Sequence, residues 1–179
     1  MFNLHLDAEQ IEFRDTVRSF AANEIRPVAI HPDRLEPFAK PLMMDLLGQA
    51  SELGLRVLTL SEAAGGVGAD TLTSCIVLEE MAAGDVDIAV TLGETDLLGH
   101  LLFDNWMTPD QSERFLKRFT EDPAFHLGHG GSTPEVSGWN YHEDLPNETG
   151  AGVSAVMQDG DWVIDGSVSL AANAPIADL

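Results

Sequence analysis

Cysteine occurs once in 179 residues, at Cys75, which excludes an internal disulfide and fits a reducing compartment. Basic residues are nearly as scarce: nine Lys and Arg face thirty Asp and Glu, a formal net charge of −21. That deficit excludes a nucleic-acid surface, which needs a basic footprint, and argues against an anionic membrane as partner. No apolar run approaches the roughly 20 residues that cross a bilayer. The N-terminus MFNLHLDAEQ lacks the basic and apolar regions of a secretion signal. These absences predict a cytoplasmic protein kept soluble by its acidity, with self-repulsion screened by salt. One cysteine is too few for the common zinc spacings. Gly131-Ser132-Thr133-Pro134 lacks the second glycine of a nucleophile elbow. No lysine follows Gly65-Gly66-Val67-Gly68, so this loop matches neither a phosphate loop nor a dinucleotide fingerprint and reads as a tight structural turn.

What is present is a helical first part. Asp7 and Gln10 have the spacing of a capping box, and Phe13, Val17, Phe20 and Ala21 recur at helical period, predicting a helix from Asp7 to about Glu24 that Pro27 stops. Three prolines mark residues 27–37 as a connector. A second helix is predicted from Phe38 to Leu53, buried through Leu42, Met43, Leu46, Leu47 and Ala50, with Gly54 just past its end. Leu55 to Leu60 reads as an extended apolar link. The next helix, Asp70 to Ala83, is apolar nearly all round, which predicts a central buried helix with Cys75 as a packed core thiol. From Asp85 a helical region runs to about Asn105, interrupted at Gly93 and Gly99; its mid-run polar residues Glu94, Thr95 and Asp96 line a pocket or face water. Thr108, Pro109 and Gln111 start a last helix whose inner face is Phe115, Leu116 and Phe119.

After Phe125 the period changes. Asp159-Gly160 and Asp165-Gly166 are hairpin turn signals flanking Trp162-Val163-Ile164. They predict a three-strand antiparallel meander made of Val153 to Met157, the Trp162 run and Val168 onward. The fold class is therefore α+β, mainly α: a helical bundle over residues 1–122, then an incomplete antiparallel β domain over 123–179. His126 and His129, three apart in a strand, point to opposite faces and share no metal.

Several motifs in this order resemble the acyl-CoA dehydrogenase family: the SEAAGGVG loop at Ser61, the helix carrying Leu78-Glu79-Glu80-Met81, the turn Asp85-Val86-Asp87, and the tail DGDWVIDGSVSLAANAPIADL. The resemblance spans the whole chain. It implies an N-terminal helical domain, a middle β-barrel and a C-terminal helical bundle, with FAD between them. It implies oxidation of an acyl thioester at Cα–Cβ, as in lipid metabolism, by a glutamate base that belongs to the C-terminal bundle. The sequence stops within the middle domain, so no catalytic residue is assigned, and another chain of a homo- or hetero-oligomer is expected to complete the site. An electron acceptor protein is a further implied partner.

Residue by residue, the resemblance places the flavin on His129, Gly131, Ser132, Gly138, Leu170, Ala171 and Ala172; the acyl substrate is assigned to Glu94 and Thr95 as polar residues in the middle of their helix. His129 is equally readable as a hydrogen-bonded structural histidine. The family's flavin-contacting T-E-P-x-x-G-S-D falls on Ser132 to Trp139; Ser132 keeps a hydroxyl, whereas Thr133, Ser137, Gly138 and Trp139 depart from the pattern. The family's W-I-T falls on Leu170-Ala171-Ala172, which replaces an aromatic wall by leucine and removes a hydroxyl, leaving backbone N–H groups as donors. Three readings follow: part of an FAD-dependent dehydrogenase, inactive as this chain alone; a scaffolding subunit with a degenerate flavin site; or a flavin monooxygenase-type relative.

Overall fold

The computed structural model describes residues 5–30, 43–131, 153–166 and 170–179. Helix α1 (Ala8–Phe20) starts as its sequence dictates. The Asp7 carboxylate accepts the Gln10 N–H at 2.8 Å, and the Gln10 side chain accepts the Asp7 N–H at 3.2 Å. Val17 and Ala21 are buried, with Phe13 and Phe20 packed beside them. Pro27 does not stop the chain. A π-helical turn (Ala21–Ile25) leads into α2 (Arg26–Ala29), and the Arg26 N–H donates to the Ala21 carbonyl. The wider turn shifts the ladder, so Pro27 sits in the first turn of the next segment, where a missing N–H costs nothing.

Helix α3 (Met44–Glu52) buries Leu46, Leu47 and Ala50, with Met43 packed just before it. Residues 38–42 of the expected helix, and most of the predicted connector, lie outside the described residues. Gly54 takes φ +82°, the left-handed conformation expected past a helix end. The following link is not extended but makes a 3-10 turn (Leu55–Val57). Alternation in a strand would bury every second side chain, whereas the turn buries Leu55, Val57, Leu58 and Leu60 together.

The glycine loop is the structural turn expected: Ser61 caps a short 3-10 turn (Glu62–Ala64), and Gly65 and Gly68 take φ +90° and +73°. Helix α4 (Thr71–Gly84) is capped by Asp70. It packs on α1 and α5 and buries only Thr73, Val77 and Met81, while Leu72 and Cys75 are exposed. The expected core thiol is therefore a surface one, because α4 has no neighbour over its third side among the described residues.

Helix α5 (Val86–Gly99), capped by Asp85, runs straight into a π-helical segment (His100–Trp106) without the breaks predicted at its glycines. Gly93 and Gly99 instead permit close packing: a Cβ on Gly93 would lie 3.0 Å from Leu78, and one on Gly99 would lie 2.6 Å from the Phe119 ring. Helix α6 (Pro109–Glu121) carries the second capping box, Thr108 with Gln111. Two cores result. One joins α1, α3, α4 and α5; the other gathers Val57, Leu60, Phe125 and Leu127 around Phe119.

The β part departs from the predicted meander. Strands β2 (Val153–Gln158) and β3 (Asp161–Gly166) form an antiparallel hairpin, closed by Asp159 and Gly160 at φ +52° and +96° as that turn demands. Asp165 lies within the β3 ladder opposite Ser154, so the second Asp-Gly pair closes no hairpin. Strand β4 (Leu170–Ala172) pairs instead with β1 (His129–Gly131). The two ladders share no strand, and no barrel closes among the described residues. The tail after β4 returns to the helices: the Asp178 N–H donates to the His126 carbonyl at 2.8 Å, and Arg118 pairs with Asp178 at 2.8 Å.

Candidate functional site

The β1/β4 ladder aligns His129 with Ala172, Gly130 with Ala171 and Gly131 with Leu170. Five of the seven residues assigned to the flavin thus come together on one antiparallel pair. Ser132 and Gly138 fall in 132–152, outside the described residues.

A residue of the tail motif that was given no role in the flavin site holds this ladder in place. Asn173 follows β4 at φ +55°. Its side-chain amide lies 3.0 Å from the Thr91 carbonyl, 3.2 Å from Thr95 Oγ1 and 3.1 Å from the Leu127 carbonyl. Asn tolerates the left-handed region better than most residues, and here one side chain ties β4 and the approach to β1 onto α5. Asn173→Ala removes both donors and the favourable backbone preference, so we expect a loss of about 2–3 kcal/mol by urea denaturation. Asn173→Gly restores the backbone freedom and is expected to recover about 1 kcal/mol of it. Equal losses in the two variants would show that the left-handed backbone contributes nothing.

Thr95 is fully buried beneath this junction and faces the buried His126, Oγ1 to Nδ1 at 3.3 Å. Burial, reinforced by the nearby Arg56 cation, pushes the His126 imidazole down to about 4, so it is neutral at pH 7. Burial likewise lowers Arg56, to about 10, and it stays charged. The Arg56 guanidinium donates to the Phe125 carbonyl at 3.0 Å and lies over the Phe119 ring, 4.7 Å from its centre. Arg56 Nε and His126 Nε2 have no hydrogen-bond partner among the described residues.

On the outer side of α5, a groove of about 660 Å³ runs between α4 and α5. Leu78, Ala82, Val86, Ala89, Val90 and Leu97 give it an apolar body. Glu94 lies on its wall and reaches His129 of β1 at 3.6 Å, so groove and ladder meet there. At the groove's end Asp96 is 4% exposed; its two oxygens accept the Thr59 N–H at 2.8 Å and the Thr59 hydroxyl at 2.9 Å. Burial pushes its carboxyl up to about 6 despite these bonds. One turn further, His100 Nδ1 lies 2.9 Å from Asp104, which also accepts the Ser61 N–H at 3.0 Å and the Ser61 hydroxyl at 2.6 Å. Burial alone would raise Asp104, but Ser61 and His100 outweigh it and hold the carboxyl below its usual range.

Of the two substrate candidates, Glu94 lines the groove while Thr95 faces inward and serves the Asn173 junction. The single strand expected to carry both histidines does not form: His126 is buried and lies outside β1, whereas His129 is half-exposed on it. Among the described residues no cluster has the composition of a metal site. The polar end of the groove was readable only as i,i+4 spacing of His100 and Asp104, and Asn173 only as one member of the tail motif.

The profile of the family "Acyl-CoA dehydrogenase, N-terminal domain" matches residues 7–122. A short-chain specific acyl-CoA dehydrogenase of Clostridium acetobutylicum is 27% identical over 177 residues, covering 98% of this chain and 43% of its own length. The structure of a butyryl-CoA dehydrogenase from Megasphaera elsdenii superposes with a TM-score of 0.76 at 22% identity, over 99% of this chain and 44% of that one. An acyl-CoA dehydrogenase from Bacillus anthracis, solved in complex with FAD, superposes with a TM-score of 0.75 at 22% identity, over 99% of this chain and 29% of that one. At such identities the two structures speak for the fold alone, and the chain spans well under half the length of these relatives. The match over residues 7–122 places the chain in the acyl-CoA dehydrogenase family.

Proposed function

We propose that this chain is the N-terminal helical domain (1–122) and the first part of the middle β domain (123–179) of an FAD-dependent oxidoreductase that acts on the Cα–Cβ bond of an acyl thioester. The observation that carries this reading is the meeting of an apolar groove with the β1/β4 ladder at Glu94 and His129. The residues present fit a flat ring system: Gly130 brings no side chain to the ladder, and Gly130 and His129 are exposed. His129, Gly131, Leu170, Ala171 and Ala172, joined by Ser132 and Gly138 in the loop, are the residues we assign to FAD. FAD when bound would supply the acceptor for the hydride that leaves Cβ, and with it for the two electrons of the oxidation.

The chain's own residues do the holding. The groove excludes water from the acyl group, Glu94 stands where the groove reaches the ladder, and Asn173 keeps the ladder against α5. The base that takes the Cα proton is assigned to no residue here. A C-terminal helical bundle, from this polypeptide's partner in an oligomer or from further sequence, completes the site, and a protein electron acceptor discharges the flavin.

A second reading, a scaffolding subunit, draws on the groove's electrostatics: Asp70, Glu94 and Asp96 line it and no Lys or Arg does. The two readings part in a visible spectrum of the protein purified with its co-expressed neighbours. A flavin band near 450 nm that bleaches with an acyl thioester is the expected result, since bound FAD is the chromophore. A colourless protein that takes up no added FAD overturns the enzyme reading.

A further inference from the structure

Neither the ladder nor the family likeness accounts for the far end of the groove. We propose that this end, formed by His100, Asp96 and Thr59, receives a protonated amine carried at the distal end of the substrate's acyl group. The inference rests on the acyl-thioester reading above and specifies its substrate class.

The argument begins with His100. It lies at the start of the π-helical segment, a geometry that recurs at functional sites, and it lines the groove. Its Nδ1 is committed to Asp104, whose remaining capacity is filled by Ser61. In the neutral imidazole, a carboxylate on Nδ1 holds the N–H there and leaves Nε2 as a hydrogen-bond acceptor. Nε2 hydrogen-bonds no other described residue, and the side chain is 44% exposed.

Asp96 supplies the second observation. Nine-tenths buried carboxylates are normally paired with a cation or bound to a metal. Asp96 is 4% exposed, yet the donors it meets are those of Thr59, both neutral, and it makes no ion pair among the described residues. It lines the groove beside His100, one helical turn away. The end of the cavity therefore presents acceptors and negative charge and no cationic side chain. A methyl terminus would leave Asp96 with neutral donors alone; a carboxylate terminus would be repelled. An ammonium group donates to Nε2 and neutralises Asp96.

The dimensions agree. Glu94, where the groove meets the ladder, and His100 are six residues apart, about 9 Å along the helix axis, which an acyl chain of about six carbons spans. Leu97, which lies between them on α5, and Leu78, packed against Gly93, suit its methylenes.

The test uses pantetheine thioesters, which avoid the phosphates of CoA. S-(6-aminohexanoyl)pantetheine and S-hexanoylpantetheine are titrated into the purified protein, with binding read calorimetrically and the His100 ring nitrogens followed by NMR. The amino compound is expected to bind about tenfold tighter, the scale of one hydrogen bond to a charged group, and to shift the Nε2 resonance. His100→Ala and, separately, Asp96→Asn are expected to bring the affinity ratio near one. Equal affinities in the wild-type protein, or a preference that survives both substitutions, overturns the inference. Flavin bleaching by the hexanoyl compound alongside equal affinities would leave the enzyme reading standing while this one fails; binding of neither compound would sink both.

Discussion

Gly66→Ala is expected to destabilise the protein by about 3 kcal/mol, lowering its melting temperature by about 10 °C for a chain of this size. The reason lies in space and not in backbone freedom. A Cβ at Gly66 would stand 2.2 Å from the Leu60 carbonyl oxygen, 2.6 Å from its carbon and 2.5 Å from its Cβ. None of these is the end of a flexible side chain, so relief requires the loop to move. The loop is fastened on both sides of the clash: the Gly66 N–H donates to the Ser61 carbonyl, the Val67 N–H to Val57, the Gly68 N–H to Leu60 at 2.8 Å and the Ala69 N–H to Leu58 at 2.9 Å. Displacing it loosens Leu58 and Leu60, both buried, and with them the contact between the two cores. Gly48→Ala is the matched control. It lies within α3 and a Cβ there meets nothing within 4 Å, so helix propensity alone decides and a gain of about 0.5–1 kcal/mol follows. Thermal melts of the two variants should move in opposite directions. A Gly66→Ala protein that melts with the wild type would mean that the loop yields freely and fastens nothing.

The same loop shows what the sequence disclosed. Its glycines were legible as a turn because left-handed positions and close approaches are punctuated by glycine wherever they occur. The capping boxes at Asp7 and Thr108 were legible for a similar reason: each is a local hydrogen-bond pattern complete within four residues. Burial was not. Leu72 and Cys75 look like core from their neighbours in sequence, and only the placement of α4 at the side of the bundle exposes them. Gly93 and Gly99 were misread as breaks because their partners, Leu78 and Phe119, lie on other helices. The partner of β4 was hidden likewise: local turn signals favoured β3, whereas Asn173 and the tail hold β4 beside β1. Local pattern thus carried the elements and the family motifs, while the site's polar network, from Thr59 to Asp96 and from Thr95 to Asn173, spans separations that no local pattern encodes.

Two groups of that network should give nearly flat stability between pH 4 and 6 where each alone would give a steep slope. Asp96 has a folded value of about 6 against an ordinary 3.8. The folded state therefore holds the proton more tightly, and the stability present below about pH 4 is lost as pH rises through about 6, by about 3 kcal/mol in all. His126 is the reverse, with a folded value of about 4 against 6.5. Here the unfolded chain binds the proton more tightly, so stability is lowest near pH 4 and below and rises by about 3 kcal/mol by pH 6.5. Across the shared window the two slopes oppose each other. Asp96→Asn keeps an acceptor for the Thr59 N–H and removes the first slope, so urea denaturation of this variant should show stability climbing by about 3 kcal/mol relative to wild type between pH 4 and 6.5. His126→Asn keeps a partner for Thr95 and removes the second, so its stability should fall by a similar amount relative to wild type as pH rises from 4 to 6. Each comparison is a difference from wild type, in which the titration of the other acidic residues cancels. Curves for Asp96→Asn and wild type that run parallel from pH 4 to 7 would show that the Asp96 carboxyl is not strained by burial.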